Sequence, residues 1–252
     1  DKVIIFSPFY ENYGADTILA GAEPIYVALK PPSFSFHVGE LEQAFRQGAK
    51  ALILCNPSNP CGKVFSYGEL RIIADLAVKY DAYVITDEVY EHIVYEPCKH
   101  TYLSSLPGMS ERTIICSSLS KTYSITGWRL GYVIAAPHIA GRIKKVHDFL
   151  TVGAAAPLME AAVVGLAFPD EYYYELRRHY THMKDLFIGG LKDLGLTFTE
   201  PQGAYYVLVD VSEFGVRDDV RFCEWMAEKV GVGAVPGSSF FREEVHHLIR
   251  LH

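Results

Sequence analysis

The sequence predicts an α/β fold whose mostly parallel sheet carries helices on both faces, followed by a smaller α+β unit. Three observations support this prediction. Short apolar runs alternate with segments whose apolar residues recur at helical spacing. Several of these runs are apolar throughout, which is typical of strands buried on both faces of a parallel sheet. After Pro137 the pattern changes to long helical segments and then to short mixed elements.

Six strands and two helices are predicted before Pro137. The strands are expected at Val3–Phe6, Ile25–Leu29, Ala51–Cys55, Tyr83–Thr86, Thr113–Cys116 and Gly131–Ala135. The helices are expected at Val38–Gln47 and Tyr67–Tyr80, the second with a capping-box signal from Ser66 and Glu69. Alternation of this kind favours right-handed crossovers between parallel strands.

The elements after Pro137 predict a second unit. Helices are expected at Ile139–Thr151, Pro157–Ala167, Glu171–Leu194 and Asp218–Val230, and strands at Thr197–Glu200, Gly203–Val209, Val232–Val235 and Leu248–Leu251. We therefore expect a larger domain at residues 1–175 and a smaller one at residues 176–252. The boundary would fall inside the longest predicted helix.

The composition restricts the class of protein. Half of the 252 residues are hydrophobic and 21% are charged, which suits an ordinary globular core. A net charge of −7 argues against a nucleic-acid-binding surface. We see no signal peptide and no apolar run near the roughly 20 residues of a membrane span. The five cysteines form no C-x-x-C pair, so we expect free thiols, no metal site and a cytoplasmic protein.

A doubled Asn-Pro motif follows the strand predicted at Ala51–Cys55. It reads Cys55-Asn56-Pro57-Ser58-Asn59-Pro60-Cys61-Gly62. Each proline fixes its own φ and restricts the residue before it, and Gly62 permits a positive φ. The motif predicts a rigid loop at the carboxyl end of a strand, where open α/β sheets bind ligands. A plain turn is the weaker interpretation.

Two acids and a tyrosine end the next predicted strand, in the segment Val84-Ile85-Thr86-Asp87-Glu88-Val89-Tyr90. An acid at this place is poorly positioned for core packing but well positioned to meet a cationic group. We therefore predict a functional role for Asp87, with Tyr90 on the same side of one helical turn. For Glu88 we favour a structural interpretation, a negative charge at a helix N-terminus.

Lys121 lies in a hydroxyl-rich segment that reads S-S-L-S-K-T-Y-S-I-T-G-W-R-L-G-Y from Ser117 to Tyr132. Arg129 follows Lys121 and precedes a glycine and an apolar strand. A lysine that acts as a neutral nucleophile near pH 7 needs cationic and hydrogen-bonding neighbours, because its ordinary pKa lies near 10.4. The segment therefore predicts a reactive lysine.

The three motifs, in this order, resemble the class I/II (fold-type I) pyridoxal-phosphate-dependent aminotransferases. They read N-P-x-N-P-x-G, D-E-x-Y and S-x-S-K-x-x-x-x-x-G-x-R-x-G, and the combination is far more specific than any one of them. The resemblance extends from Pro8-Phe9-Tyr10 to Arg250. It implies a large cofactor-binding domain, pyridoxal 5'-phosphate as cofactor, and transfer of an amino group between an L-amino acid and a 2-oxo acid.

The resemblance also implies a role for each matching residue around the cofactor ring. Lys121 would form the Schiff base with the cofactor and then move the proton of the substrate. Asp87 would pair with the pyridine nitrogen and so keep the ring an electron sink. Tyr90 and Asn59 would hydrogen-bond the phenolic oxygen of the cofactor.

Further roles concern the phosphate and the ring face. The resemblance assigns Ser118, Ser120 and Arg129 to the phosphate, which suits a guanidinium fork and hydroxyl donors. A surface ion pair is the alternative for Arg129. Tyr10 would stack on the pyridine ring, with core packing as its alternative.

The substrate roles fall near the C-terminus. Arg250 would clamp the substrate α-carboxylate with two parallel hydrogen bonds, with Asn59 in reach of the same group. The segment Gly203-Ala204-Tyr205-Tyr206 resembles a strand of the small domain, and we interpret it as structural.

The resemblance carries expectations about the whole enzyme. It implies a homodimer with shared active sites and small-molecule substrates, without nucleic-acid or membrane partners. A glycine-rich phosphate-binding segment would precede Asp1 and a helix would follow Arg250, so we expect the chain to be part of a longer enzyme. The alternatives are a pyridoxal-phosphate-dependent β-lyase, an aminocyclopropanecarboxylate-synthase-like enzyme, and a non-catalytic aminotransferase-like effector domain of a regulator. The motifs do not identify the amino acid.

Overall fold

The computed structural model describes residues 1–252, which form two β-sheets and eight α-helices. The strands are β1 (Lys2–Ser7), β2 (Glu23–Lys30), β3 (Ser35–Phe36), β4 (Ala49–Cys55), β5 (Tyr83–Asp87), β6 (Thr113–Ser118), β7 (Gly131–Ile134), β8 (Thr197–Phe198), β9 (Val207–Asp210), β10 (Val235–Pro236) and β11 (Leu248–Leu251). The helices are α1 (Asn12–Leu19), α2 (Val38–Arg46), α3 (Tyr67–Lys79), α4 (Leu119–Thr122), α5 (Pro137–Thr151), α6 (Ala156–Leu166), α7 (Asp170–Asp193) and α8 (Asp219–Trp225). None of these helices has both the length and the apolar content that a membrane crossing requires.

The larger sheet has seven strands in the order β3-β2-β1-β4-β5-β6-β7. The five central strands run parallel, and the edge strands β3 and β7 run antiparallel to their neighbours. The predicted α/β class with a mostly parallel sheet is confirmed. Each predicted strand before Pro137 is present with its ends shifted by at most two residues.

The core of this sheet follows from its apolar strands. Ile4, Leu52 and Val84, on three neighbouring strands, are completely buried.

Helix α3 begins at the predicted capping box: the Ser66 hydroxyl accepts a hydrogen bond from the Glu69 amide at 3.3 Å, and the Glu69 carboxylate accepts one from the Ser66 amide at 2.9 Å. This reciprocal pairing satisfies amides that the first helical turn leaves free.

The second sheet is antiparallel, with the order β10-β11-β9-β8. Its small core joins Ile188 and Leu191 of α7 to Val209 and Ile249 of the sheet. The domain boundary predicted between residues 175 and 176 falls within α7, which is continuous there, and the boundary stays a prediction.

A backbone junction ties the start of the second sheet to the loop that follows β5. The Tyr95 amide donates to the Gln202 carbonyl, and the Ala204 amide donates to the Ile93 carbonyl, both at 2.8 Å. Gly203 lies so close to the Asn-Pro loop that a β-carbon on it would come within 2.8 Å of the Pro57 ring. The junction therefore leaves no room for a side chain at Gly203.

Several local predictions differ from the structure. Helix α1 was not predicted, the expected strand at Val232–Val235 is reduced to β10, and the expected helix at Asp218–Val230 is α-helical only to Trp225 and continues as a π-helix. Apolar spacing did not indicate α1, because its buried residues are Gly14 and Thr17 whereas Ile18 and Leu19 are exposed.

The interpretation of Glu88 as a helix N-terminal charge is wrong, because β5 is followed directly by a turn and no helix begins at Glu88. Glu88 is 1% exposed, and its carboxylate lies 2.8 Å from the imidazole of His100. Burial raises the pKa of Glu88, and the neighbouring His100 opposes that rise. The helical turn expected to hold Asp87 and Tyr90 is likewise absent: Asp87 ends β5, and Tyr90 lies in the turn that follows.

The Gly62→Ala variant tests the rigidity of the Asn-Pro loop. Gly62 has the predicted positive φ, at +66°, and a β-carbon there would come within 2.7 Å of Pro201. An alanine at this position would have to adopt a left-handed conformation and would clash with Pro201. Together these effects should lower the free energy of unfolding by about 2–4 kcal/mol in a chemical denaturation experiment. Gly68→Ala is the matched control, because it lies in α3 with open space around it and should be neutral or slightly stabilising. Equal stability of the two variants would contradict this description of the loop.

Candidate active site

The predicted site residues meet at the carboxyl edge of the parallel strands. Asn59 lies in the loop after β4, Asp87 is the last residue of β5, and Ser118 is the last residue of β6. The register aligns these ends, since Asp87 pairs with Cys55 on one side and with Cys116 on the other. The three strand ends therefore open into one cavity of about 400 Å³.

Eight of the nine predicted site residues line this cavity. They are Tyr10, Asn59, Asp87, Tyr90, Ser118, Ser120, Lys121 and Arg129. The ninth, Arg250, lies outside this lining, but its Nη1 donates a 2.7 Å hydrogen bond to Oδ1 of Asn59. The structure therefore brings all nine residues together; their roles stay predictions.

Lys121 is held at the cavity by the short helix α4. The Ser118 hydroxyl accepts a 3.1 Å hydrogen bond from the Ser120 amide and so caps this helix. Nζ of Lys121 lies 3.4 Å from Oγ1 of Thr126 and 5.8 Å from the centre of the Tyr205 ring. The amine therefore has one weak polar contact and no carboxylate partner, which leaves it available to a ligand.

Arg129 reaches the same edge because β7 runs antiparallel to β6. Gly131, the first residue of β7, pairs with Ser118, the last residue of β6. Arg129 has a φ of +56°, a left-handed conformation that is unfavourable for a residue with a side chain. Arg129 is exposed, and its guanidinium donates a 2.9 Å hydrogen bond to the Thr126 carbonyl. It forms no ion pair with an acidic side chain.

The carboxylate of Asp87 has two hydrogen-bond donors. Tyr13 donates from its hydroxyl to Oδ2 at 2.5 Å, and the Val89 amide donates to Oδ1 at 3.1 Å. Burial raises the pKa of Asp87 in spite of these bonds, and burial together with the nearby Cys55 and Asp87 raises the pKa of Tyr13. Asp87 is thus a desolvated carboxylate that lacks a cationic partner.

Tyr90 is 3% exposed, and its hydroxyl lies 2.6 Å from the hydroxyl of Tyr206. Tyr206 also lines the cavity. The Gly203–Tyr206 segment, which we interpret as structural, thus contributes one residue to the cavity wall, and the position of Tyr206 there depends on the junction with the loop after β5.

The guanidinium of Arg250 lies between two aromatic rings, 4.3 Å from the centre of Tyr206 and 4.5 Å from the centre of Phe240. Its Nε is buried and has no hydrogen-bond partner. An orphaned buried donor is costly, so this arginine is suited to an anion that would accept from it.

Sequence reasoning missed several residues of the site. Val89, Cys116, Ser117, Thr126 and Tyr206 also line the cavity. Val89, Ser117 and Thr126 lie within the quoted motifs and Cys116 directly precedes one of them, so their place beside Asp87 or Lys121 was the available signal. Tyr13 had a weaker signal: it is three residues after Tyr10, with which it makes an edge-to-face contact at 5.7 Å.

Comparison with known proteins gives a single answer. The sequence profile of the family described as "Aminotransferase class I and II" matches residues 1–250. Human kynurenine–oxoglutarate transaminase 1 is 35% identical over 285 residues, which cover 99% of this chain and 67% of that protein. The methionine aminotransferase of Escherichia coli K12 is 34% identical over 252 residues, which cover 100% of this chain and 65% of that protein.

Solved structures agree with these relatives. N-succinyldiaminopimelate aminotransferase from Mycobacterium tuberculosis superposes with a TM-score of 0.94 at 33% identity, covering 100% of this chain and 66% of that one. The chain spans 60 to 67% of the length of curated relatives such as kynurenine–oxoglutarate transaminases 1 and 3. Match length, identity and fold all lead to one conclusion: the chain belongs to the class I and II aminotransferase family.

Proposed function

We propose that this protein is a pyridoxal-phosphate-dependent aminotransferase that moves an amino group between an L-amino acid and a 2-oxo acid through Lys121. The observation that carries the proposal is the meeting of Lys121, Asp87 and Arg129 around one cavity, each without a partner of opposite charge. Family membership and relatives that are named transaminases support the same reaction.

The residues of the cavity fit the chemistry of this cofactor. An aldehyde requires an amine, which Lys121 supplies. A protonated ring nitrogen requires a carboxylate, and the raised pKa of Asp87 indicates a carboxylate that would gain from a cation. A phosphate dianion requires a guanidinium and hydroxyls, which Arg129, Ser118 and Ser120 supply.

The bound cofactor would withdraw electrons from the substrate α-carbon and so acidify its proton. Nζ of Lys121 would accept that proton and hold it for return. The hydroxyl of Tyr90 and the amide of Asn59 would donate hydrogen bonds to the phenolic oxygen, since Oδ1 of Asn59 already accepts from Arg250. The ring of Tyr10, 37% exposed, would cover one face of the bound ring.

Arg250 would orient the substrate by its α-carboxylate. Its Nη1 is engaged by Asn59, while Nε is buried without an acceptor. A carboxylate can accept two parallel hydrogen bonds from one guanidinium, which fixes direction as well as position. This contact is common to all α-amino acids and therefore leaves the side-chain preference open.

We also propose that the protein acts as a homodimer in the cytoplasm. Exposed apolar side chains on α5 and α6, among them Phe149 at 93% and Leu150 at 76% exposure, form a surface suited to burial by a second subunit. All five cysteines are free, which suits a reducing compartment.

A single-turnover experiment tests the proposed reaction. The protein loaded with pyridoxal phosphate and given an amino donor without a 2-oxo acid should form one equivalent of 2-oxo acid per site and then stop. Lys121→Ala should form none and should lack the visible absorbance of the bound cofactor, because no amine remains to bond it. A panel of amino donors would identify the preferred substrate.

Lys79→Ala is the control, because Lys79 is exposed and its side chain forms a hydrogen bond and an ion pair with Glu42, away from the cavity. It should match the wild type in both measurements. Continuous release of ammonia and 2-oxo acid would instead indicate a lyase. Normal turnover and absorbance in Lys121→Ala would overturn the proposal.

The Asp87→Asn variant tests the role of the buried carboxylate. Because the pKa of Asp87 is raised on folding, its ionised form destabilises the cofactor-free protein increasingly as pH rises from about 4, the ordinary pKa, through the raised value. The isosteric amide carries no charge, and it can keep both contacts: its oxygen can accept from the Val89 amide, and its NH2 group can donate to the Tyr13 hydroxyl. The variant without cofactor should therefore be at least as stable as the wild type at pH 7, while transaminase turnover should fall by about 100-fold or more.

Chemical denaturation at pH 4 and pH 7, with and without pyridoxal phosphate, measures this difference. Without cofactor, the difference in free energy of unfolding between Asp87→Asn and the wild type should increase from pH 4 to pH 7. A variant that loses stability at pH 7 but keeps full turnover would contradict both parts of the expectation.

A further inference from the structure

We propose that Tyr206 is a positioning residue for two other residues of the site. Its hydroxyl donates a hydrogen bond to Tyr90, and its ring packs against the guanidinium of Arg250. The inference rests on the proposed function, in which Tyr90 serves the cofactor and Arg250 serves the substrate. The sequence interpretation gave its segment only a structural role, and the two contacts of Tyr206 involve different parts of one side chain.

The hydrogen bond between the hydroxyls of Tyr90 and Tyr206 has a defined direction once Tyr90 donates its own proton to a ligand in the cavity. The Tyr90 and Tyr206 oxygens lie 2.6 Å apart, and the residues are 3% and 6% exposed. Burial raises the pKa of both phenols, so both stay protonated and a single proton lies between the two oxygens. When Tyr90 uses its own proton toward a ligand, the shared proton must come from Tyr206.

A phenol that accepts a hydrogen bond becomes a stronger donor, because the two bonds polarise one another in a low-dielectric site. Tyr206 would therefore strengthen the bond from Tyr90 to the phenolic oxygen of the cofactor. That bond favours the deprotonated form of the bound chromophore. Loss of the Tyr206 hydroxyl should raise the pH at which the chromophore loses its proton.

The ring contact serves Arg250. The guanidinium lies between Tyr206 and Phe240 and donates from Nη1 to Asn59. Arg250 pairs across the sheet with Leu208, two residues after Tyr206, so the tyrosine is its diagonal neighbour. The two rings fix the plane of the guanidinium, and a partly desolvated cation–π contact contributes about 0.5–2 kcal/mol.

Tyr206 itself is fixed by the backbone junction. Ala204, with a φ of +57°, donates from its amide to Ile93, whose own amide donates to the Tyr90 carbonyl, both at 2.8 Å. The rings of Tyr90 and Tyr206 meet edge to face at 5.6 Å. The loop after β5 and the start of β9 thus hold the two hydroxyls in place.

Two substitutions separate the two contacts. Tyr206→Phe removes the hydroxyl and keeps the ring, and Tyr206→Leu removes both. Spectrophotometric titration of the holoenzyme should show the midpoint of the visible absorbance raised by about 0.3–1 pH unit in both variants. The KM for the amino donor should rise about 2- to 30-fold in Tyr206→Leu and stay within about 2-fold of the wild type in Tyr206→Phe.

Tyr95→Phe is the matched control. Tyr95 is 3% exposed and belongs to the same aromatic cluster, but its hydroxyl donates to the Ala204 carbonyl at 2.6 Å and makes no hydrogen bond to Tyr90 or Arg250. This variant also removes one buried phenol hydroxyl, and its absorbance midpoint should match that of the wild type.

Two results would overturn the inference. One is a pH midpoint of the visible absorbance that is the same in Tyr206→Phe as in the wild type. The other is a shift of that midpoint in Tyr95→Phe as large as the shift in Tyr206→Phe. A wild type without any pH-dependent visible band would instead overturn the proposed function. Should Tyr206→Leu fail to fold, the Tyr206→Phe titration decides the question of the hydroxyl by itself.

Discussion

The register of the neighbouring parallel strands β4, β5 and β6 is the constraint on which the rest of the site depends. Because Cys55, Asp87 and Cys116 stand side by side in the ladder, the residues that follow each strand emerge at one edge. A shift of one strand by one residue would turn its side chains to the other face of the sheet. Fully buried residues such as Leu52 and Val84 prevent that shift, so the core fixes the position of the chemistry.

Two departures from a simple parallel sheet complete the arrangement. The antiparallel edge strand β7 returns the chain to the same edge and brings Arg129 near Ser118. The junction between the loop after β5 and the start of the second sheet places Tyr206 against Tyr90 and Arg250 against Asn59. Groups expected to serve the cofactor and groups expected to serve the substrate are therefore coupled through direct hydrogen bonds.

Sequence reasoning succeeded where chemistry and local structure coincide. Asn59, Asp87 and Lys121 each follow a recognisable strand within a motif, so both the fold and their approach to one edge could be predicted. Contacts between distant segments could not. Tyr13 reaches Asp87 over 74 positions and Tyr206 reaches Tyr90 over 116. Glu88 was misassigned for the same reason, since its partner His100 lies beyond an irregular loop that no periodic pattern describes.

The central claim is that this edge of the sheet holds pyridoxal phosphate through one lysine. Reduction of the cofactor-loaded protein with borohydride, followed by proteolysis and mass spectrometry, tests it most directly, because reduction makes the lysine–cofactor bond permanent. The account predicts one pyridoxyl group per chain, carried by the peptide that contains Lys121. Label spread over exposed lysines, or a Lys121 peptide without label, would contradict it.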